Sequence, residues 1–585
     1  MSYRFWFSLV ALPSMLLAQP LGAQEAAPIQ PAGSIRSQQI DLQTPLQRDP
    51  QPPSTQPQPE LEPPTPLPPP DQLLPLPATP PTGETTPDEI PETITVERFE
   101  VTGSTVFSPQ DFAEVTKPFT GRPISIAELF QARSAVTQLY LDRGYITSGA
   151  YIPPQKLQGG VVEIRVVEGS LEDIKVTGLR RLNPNYVRSR LAIATSKPLN
   201  RNRLLEGLQL LQLNPLIESI SAELSAGASP GESLLEVRVA EAKTFDVQIL
   251  LDNGRSPSVG SFRRQLQLSE ANLLGLGDRL VGAYSNTDGS NTWDFSYTLP
   301  INPRNGTISF NAGISNNDVI EEPFNILDIE SESRYLELTL RQPLVQTPTH
   351  EVAVGITATQ RQSKATLLDG EIPFPALGAD DEGQTRLTAL RFFQEATWRS
   401  NQEVFALRSQ FSIGIDALNA TINPEPPDSQ FFVWRGQAQW VRLLAPETLL
   451  LLRADLQLAD RTLLPFEQFA LGGQDSVRGY RQDALLTDDG AFASAEVRIP
   501  ILRLPQIEGL LQFVPFVDFG TGWNLSGRSD PDPQTLVSVG MGLRFQISDR
   551  LTVRLDWGIP LISFPGEKKT WQENGLYFSI IANPF

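Results

Sequence analysis

An arginine flanked by glycines is the residue whose surroundings most favour a specific electrostatic contact. Residues 471–480 read Leu-Gly-Gly-Gln-Asp-Ser-Val-Arg-Gly-Tyr, so that Val477, Arg478, Gly479 and Tyr480 are consecutive. A guanidinium in a confined site needs a carboxylate to offset its lost hydration, and nearby glycines let a backbone approach a wall closely. The alternative is an ordinary solvated arginine in a loop.

Residue types that usually perform catalysis are scarce in this chain. His350 is the single histidine and falls in a short predicted connection, and cysteine is absent. The carboxylates of Asp380, Asp381 and Glu382 have the pattern of solvated loop charge, and no phosphate-binding loop or metal-ligand spacing occurs. We therefore predict that the protein is not an enzyme and uses no cofactor or metal.

Length and charge indicate how many domains the protein has and which partners are improbable. The chain has 585 residues, which predicts several domains, and its formal net charge of −20 argues against nucleic acid as a partner. After the first residues, no run of about 18 apolar residues occurs, so no transmembrane helix is predicted.

The N-terminal region predicts export followed by a spacer. Residues 1–24 combine Arg4, an apolar run and small residues near Ala23, which is typical of a secretory signal peptide. Residues 25–93 are rich in proline and polar residues and predict an extended, disordered linker. A ligand for an aromatic groove is the alternative function of this linker.

An imperfect repeat of about 75 residues follows the linker and predicts two small α+β domains, 94–170 and 171–243. The segment 99–103 recurs as 174–178, and 162–166 recurs as 235–239. Each copy has the predicted order β-α-α-β-β. Apolar residues at helical spacing predict the core side of the longer helices. These are Ile126, Leu129, Phe130, Val136, Leu139 and Tyr140 in the first copy and Leu204, Leu205, Leu208, Leu211 and Leu213 in the second.

Residues 244–585 change to an alternation of period two. Segments of about 8 to 14 residues lie between turn residues and predict roughly 16 antiparallel strands of a transmembrane β-barrel, whose outer face contacts outer-membrane lipid. The last strand, 577–585, ends in an aromatic residue, with Trp557 and Trp571 nearby as candidate interfacial residues.

Connection lengths support a barrel over a soluble sandwich. The predicted odd-numbered connections are long: 315–333, 360–383, 416–429, 460–488 and 520–534. The predicted even-numbered ones, such as 274–276, 346–349 and 445–447, are short. Long outer loops and short periplasmic turns are typical of outer-membrane barrels.

Three features together resemble a known family, the two-partner secretion transporters of the haemolysin secretion/activation type, and the resemblance covers 94–585. They are the Val-Arg-Gly-Tyr element at 477–480, the Phe-Val-Asp-Phe-Gly strand at 516–520, and the paired repeats, which resemble polypeptide-transport-associated (POTRA) domains. The resemblance implies a mainly β protein in the outer membrane, with two POTRA domains in the periplasm. It also implies a function, the secretion of a partner exoprotein through the barrel without nucleotide hydrolysis. The partner is expected to be large and β-helical, and the barrel monomeric.

The resemblance also implies roles for individual residues. The loop 460–488 would fold into the barrel, where Arg478 would pair with Asp518 of the strand that also carries Phe516 and Gly520. Glu496 is a second candidate partner. Family members often carry an N-terminal helix that plugs the pore, and here 34–48 occupies that position as either a plug or a plain disordered tail.

Two other functions stay open on the sequence alone. An outer-membrane β-barrel assembly factor would share these motifs and would need a barrel seam that opens, although only two repeats are found. If the protein were a passive porin or an adhesin, the two small domains would have no evident function.

Overall fold

The computed structural model describes residues 70–74, 93–156, 159–229, 231–368, 370–525 and 528–584. The predicted signal peptide 1–24, most of the predicted linker 25–93, the candidate plug 34–48 and the terminal aromatic residue lie outside the described residues.

The part before the barrel contains two three-stranded sheets, each with helices packed against it. Its elements are α1 (Pro70–Leu73), β1 (Ile94–Val96), β2 (Arg98–Thr102), α2 (Pro109–Thr116), β3 (Arg122–Ile124), α3 (Ile126–Asp142), β4 (Gly149–Tyr151), β5 (Val161–Val167), β6 (Ser170–Thr177), α4 (Pro184–Ala194), α5 (Arg201–Gln212), β7 (Ile217–Ala226) and β8 (Glu232–Glu241). The predicted order is present in both copies, and β1 and β3 add a two-stranded ribbon to the first.

The sequence repeat corresponds to one strand pairing made twice. In the first domain β2 runs parallel to β5, with Phe99 opposite Val162. In the second β6 runs parallel to β8, with Ile174 opposite Leu235. Because the repeated segments pair with each other inside each copy, the same apolar pattern forms each sheet.

Helix α3 begins at a capping box and ends at a glycine. Ser125 and Glu128 exchange side chain-to-backbone hydrogen bonds at its N-terminus, and Gly144, with φ +85°, follows its end. The prediction that every residue of the two apolar stripes lies in a core was wrong at two positions. Phe130 is 46 % exposed, on the solvent side of α3, and Leu213 is 41 % exposed because α5 ends one residue before it.

The C-terminal part is a closed antiparallel barrel. Its strands are β9 (Phe245–Asp252), β10 (Arg263–Ala271), β11 (Arg279–Asn286), β12 (Ser290–Pro300), β13 (Thr307–Asp318), β14 (Glu330–Gln346), β15 (His350–Leu367), β16 (Ile372–Pro373), β17 (Gln384–Arg399), β18 (Glu403–Gly414), β19 (Phe432–Ala445), β20 (Thr448–Ala459), β21 (Phe469–Leu471), β22 (Leu485–Thr487), β23 (Asp489–Leu504), β24 (Gly509–Trp523), β25 (Thr535–Ile547), β26 (Leu551–Pro560) and β27 (Leu576–Ala582).

Sixteen of these strands form the wall, which confirms the predicted fold class. The two-residue β16 pairs only with the end of β15, and β21 pairs with β22 as a separate hairpin inside the connection 460–488. Strand β27 pairs with β9 and closes the barrel. Closure removes exposed sheet edges, which a lipid environment requires.

The wall is apolar outside and charged inside. On β14, Leu336, Leu338 and Leu340 are exposed, whereas Glu337 between them contacts the buried Arg361. Exposed large apolar residues over buried ion pairs reverse the pattern of a soluble protein and fit a surface that faces lipid. Among the described residues, no helix has the length and apolarity needed to cross a membrane.

Several strands are longer than the predicted 8 to 14 residues. β14 has 17 residues and β15 has 18, because the two strands continue pairing beyond the predicted ends. The connection predicted at 315–333 shrinks to 319–329, and the one predicted at 360–383 shrinks to 368–383. One connection on the same side, 287–289, is short and hydrogen-bonds to Val259.

Candidate functional site

The long connection 460–488 packs inside the barrel. Its hairpin of β21 and β22 contributes to a buried apolar cluster together with wall residues. The cluster contains Phe469, Leu471, Val477, Tyr480, Ala484, Leu485, Phe492 and Leu536. A loop of this composition is held by burial, so its tip can present a charged side chain to the wall in a defined position.

Arg478 lies at the centre of this packing and is 0 % exposed. Its Nε donates to Oδ2 of Asp518 at 2.8 Å, and its Nη2 donates to Oδ1 at 2.9 Å. The backbone N–H of Arg478 also donates to Oδ2, at 3.1 Å. This bidentate geometry matches the planar guanidinium to one carboxylate.

A second carboxylate completes the pairing. Glu496 Oε2 lies 2.8 Å from Nη1 of Arg478 and also accepts from Arg554 at 2.7 Å. The guanidinium carbon of Arg478 stacks 3.4 Å from the ring centre of Phe516. The loop cation is thus enclosed by two carboxylates and an aromatic face, all on the inner side of the wall.

More charges surround the pair. Arg498 donates to Oε1 of Glu496 at 2.9 Å, and Arg554 donates to Asp556 at 2.6 Å. Three arginines therefore face three carboxylates in a site shielded from solvent. The carboxylates offset the cost of burying the arginines, and removing one member would leave its direct partners with fewer countercharges.

The residues after the arginine hold the loop by its backbone. The N–H of Gly479, whose φ is +101°, donates to the Tyr577 hydroxyl at 2.9 Å, and that hydroxyl donates to the carbonyl of Tyr480. A Cβ on Gly479 would lie 3.1 Å from the backbone carbon of Gly558. Glycine is required here because the loop backbone touches the strand backbone.

Tyr480 and Gly520 fix the sides of the tip. The Tyr480 hydroxyl lies 2.9 Å from the carbonyl oxygens of Val537 and Ile562. A Cβ on Gly520 would lie 2.8 Å from side-chain carbons of Leu471 and Val477. All eight sequence-predicted site residues are thus brought together in one place.

The sequence did not identify a second ion pair that anchors the base of the loop. Glu467 forms a bidentate pair with Arg391 of β17, with distances of 2.7 and 2.9 Å, and both side chains are buried. The available signal was Arg391 itself, a cation at an inward position between the outward Leu390 and Phe392. The loop partner was not visible, because no pattern distinguishes Glu467 from other loop carboxylates.

A third contact joins the loop to other outer connections. Arg481 makes two 2.8 Å hydrogen bonds to Glu321 and lies 3.3 Å from Glu573. Within the described residues, no group of acidic or histidine side chains is arranged to hold a metal ion. The arrangement holds the loop in place through ion pairs and hydrogen bonds to the wall and to outer connections.

Comparison with known proteins assigns this architecture. The family model "Haemolysin secretion/activation protein ShlB/FhaC/HecB" matches residues 231–545, which is more than half of the chain. A model for the ShlB-type POTRA domain matches residues 94–169.

Individual relatives agree over most of their length. The outer membrane transporter CdiB of Escherichia coli O6:K15:H31 is 26 % identical over 80 % of this chain and 79 % of its own. The heme/hemopexin transporter protein HuxB of Haemophilus influenzae strain 86-028NP is 22 % identical over 77 % of this chain and 80 % of its own. The structure of CdiB from Escherichia coli has the same fold, with a TM-score of 0.65 at 22 % identity, covering 86 % of this chain and 92 % of that one. The chain therefore belongs to the ShlB/FhaC/HecB family of haemolysin secretion/activation proteins, the two-partner secretion transporters of the outer membrane, with its POTRA region in the periplasm.

Proposed function

We propose that this transporter docks an unfolded partner exoprotein on its two small domains and passes it through the barrel while the loop 460–488 moves aside. The observation that carries the proposal is the loop inside the barrel, held by Arg478 against Asp518 and Glu496. A pore blocked by a packed loop needs a change of that loop before a polypeptide can cross.

The position of the second small domain beside the barrel supports the proposed delivery of a chain to the pore. Only residues 242–244 separate β8 of the second domain from β9 of the barrel. The second domain also contacts the periplasmic end of the barrel: Arg181 donates to Glu270 near the end of β10 at 2.8 Å, and the N–H of Asn183 donates to the carbonyl of Gly275 in the following turn at 2.8 Å. These contacts support delivery to a fixed entrance.

The partner is proposed to be a large β-helical protein. A solenoid repeat contacts only its neighbours, so it can fold from one end as it emerges, and that folding would supply direction without nucleotide hydrolysis. The barrel is proposed to act as a monomer, because all sixteen wall strands come from one chain. We further propose that the protein catalyses no reaction.

The test compares the secreted and outer-membrane proteomes of cells with and without this protein. Export predicts that one or a few large proteins disappear from the medium while the barrels of the membrane stay unchanged. No change in either compartment would contradict the proposal and favour a passive pore.

One observation keeps the assembly factor as a second candidate. The seam between β27 and β9 has four paired positions, whereas β26 and β27 share seven. A short seam is the weakest part of the wall and could open for strand insertion. Broad loss of barrels from the outer membrane in the same experiment would support this candidate.

A further inference from the structure

A short piece of the proline-rich N-terminal region is packed into the second small domain. Within this region, α1 and the following Leu74 are described by the structure. Leu73 is 2 % exposed and Leu74 is 1 % exposed. Two adjacent leucines from a segment outside both repeats are therefore as deeply buried as core residues.

The two leucines join the core of the second domain. They belong to one buried cluster with Leu205 and Leu208 of α5 and Ile220 of β7, and α1 contacts both α5 and β7. In the sequence, prolines at positions 68–70 and at 75 flank the pair. The described segment is a single helical turn whose last leucine, together with Leu74, is buried.

Helix α1 packs at one edge of the second domain's sheet. The strand order of the second domain is β6-β8-β7, which makes β7 an edge strand beside α5. Edge strands beside an apolar groove accept extended peptides, whose side chains enter the groove.

The first domain differs at the corresponding place. Its sheet order is β2-β5-β4, and on edge strand β4 Tyr151 is exposed. On α3, the helix corresponding to α5, Phe130 and Leu141 are exposed as well. The first domain therefore exposes apolar groups on its edge strand and longer helix, whereas in the second domain α1 packs against the corresponding strand and helix.

We propose that residues 71–74 are an internal ligand that occupies the groove between α5 and β7 of the second domain. An incoming client segment with adjacent large aliphatic residues displaces this ligand. The inference deepens the proposed function, since it assumes that clients dock on the small domains. Residues 75–93 join the ligand to β1 along the chain.

Thiol labelling tests the occupancy directly, because the natural chain contains no cysteine. Leu74→Cys is expected to react with a bulky polar maleimide at least about tenfold more slowly than Leu213→Cys, since a buried thiol reacts only after local opening. Leu213 is a matched control on the same domain and is exposed. Equal rates for the two variants would overturn the proposal.

A peptide in trans tests the groove. A fluorescent synthetic peptide with the sequence of residues 66–79 is added to the full-length protein in detergent and its anisotropy is measured. The peptide is expected to bind the Leu73→Ser/Leu74→Ser variant and not the parent. A peptide in which both leucines are serine is expected to bind neither protein.

Two outcomes of the peptide experiment would contradict the inference. Equal binding to parent and variant would show that the segment does not occupy the groove, and binding to neither would show that the groove accepts no such peptide. No client is present in either measurement. A failed export experiment would therefore count against the proposed function, whereas these two results alone decide the internal ligand.

Discussion

At the scale of single residues, the site is defined by one buried cation. Arg478 meets Asp518 through two side-chain hydrogen bonds and Glu496 through a third. Buried ion pairs add little net stability, but removing one partner leaves an uncompensated charge at a cost of ~3–5 kcal/mol. The cluster is therefore better suited to fixing one loop position than to stabilising the barrel.

The first prediction concerns the shape of the cation. Arg478→Lys is expected to lower export on the order of tenfold, because a lysine cannot contact both carboxylates and stack on Phe516 at once. Export is measured as client in the medium, and insertion as heat-modifiable mobility of the barrel. Arg461→Ala is the matched control, because Arg461 is in the same loop but pairs with its exposed neighbour Asp460. Normal export by Arg478→Lys would contradict the assigned role.

At the scale of elements, the inward loop has two anchors on the barrel wall, besides the contact of Arg481 with other outer connections. The tip is held by Arg478, and the base is held by Glu467 on Arg391 of β17. Because the two anchors use different strands, either can break while the other keeps the loop in the barrel.

The second prediction separates these anchors. Glu467→Gln is expected to leave Arg391 without its countercharge and to raise the open fraction of the pore in planar bilayers several-fold. Combined with Arg478→Ala, the effect should exceed that of either single change. An open fraction equal to that of the parent would show that the ion pair between Glu467 and Arg391 does not hold the base of the loop.

The third prediction concerns the glycine at the end of the first strand in each repeat. Gly103 and Gly178 have φ of +87° and +88°, and a Cβ on each would lie 2.5 and 2.3 Å from the carbonyl oxygens of Val166 and Val239. Alanine at either position should destabilise its domain by ~1–3 kcal/mol, measured as faster cleavage of the periplasmic region by protease. Gly149→Ala is the control, because a Cβ there meets open space.

The fourth prediction is a pH dependence in the second domain. Burial raises the pKa of Glu241, but hydrogen bonds from the N–H groups of residues 180–182 outweigh it and lower the pKa below its ordinary value of 4.5. A lowered folded pKa means that the stabilisation is present above the unfolded pKa and is lost as pH falls through the folded value. Glu241→Gln should therefore weaken hydrogen-exchange protection of these amides near neutral pH and match the parent in acid. The exposed Glu218→Gln should change nothing at either pH.

At the scale of the whole molecule, the second domain is fixed to the barrel through α4. Arg190 stacks on Tyr186 at 3.5 Å and donates to Asn305 of the periplasmic turn 301–306 at 2.8 Å. Contacts with two turns, in addition to the chain connection, hold the second domain in a defined orientation to the barrel.

The fifth prediction tests that attachment. Arg190→Ala should lower export several-fold with normal barrel insertion, because the domain loses a contact that directs clients to the entrance. Arg188→Ala is the matched control two residues away, since Arg188 donates to Ile174 and Asn185 within its own domain. Equal export by the two variants would mean that the short connection 242–244 suffices.

The sequence by itself determined the features that depend on local alternation and on the internal repeat, namely the barrel strands and the two small domains. Period-two segments predicted roughly sixteen wall strands, because the strand pleat alternates side chains between two faces. The recurrence of 99–103 as 174–178 and of 162–166 as 235–239 predicted two small domains with the same order of elements. The arginine motif was visible because its residues, 477–480, are consecutive in the chain. Its carboxylate partners followed from a family resemblance.

Only the tertiary structure decided the contacts between distant positions. The Glu467 anchor, the burial of Leu73 and Leu74 and the exposure of Phe130 depend on which surfaces meet. Long strands such as β14 and β15 also exceeded their predicted ends, because pairing with a neighbour extends a strand beyond its own alternation. Such contacts depend on packing between residues that are distant in the chain, and local periodicity does not predict which of these residues meet.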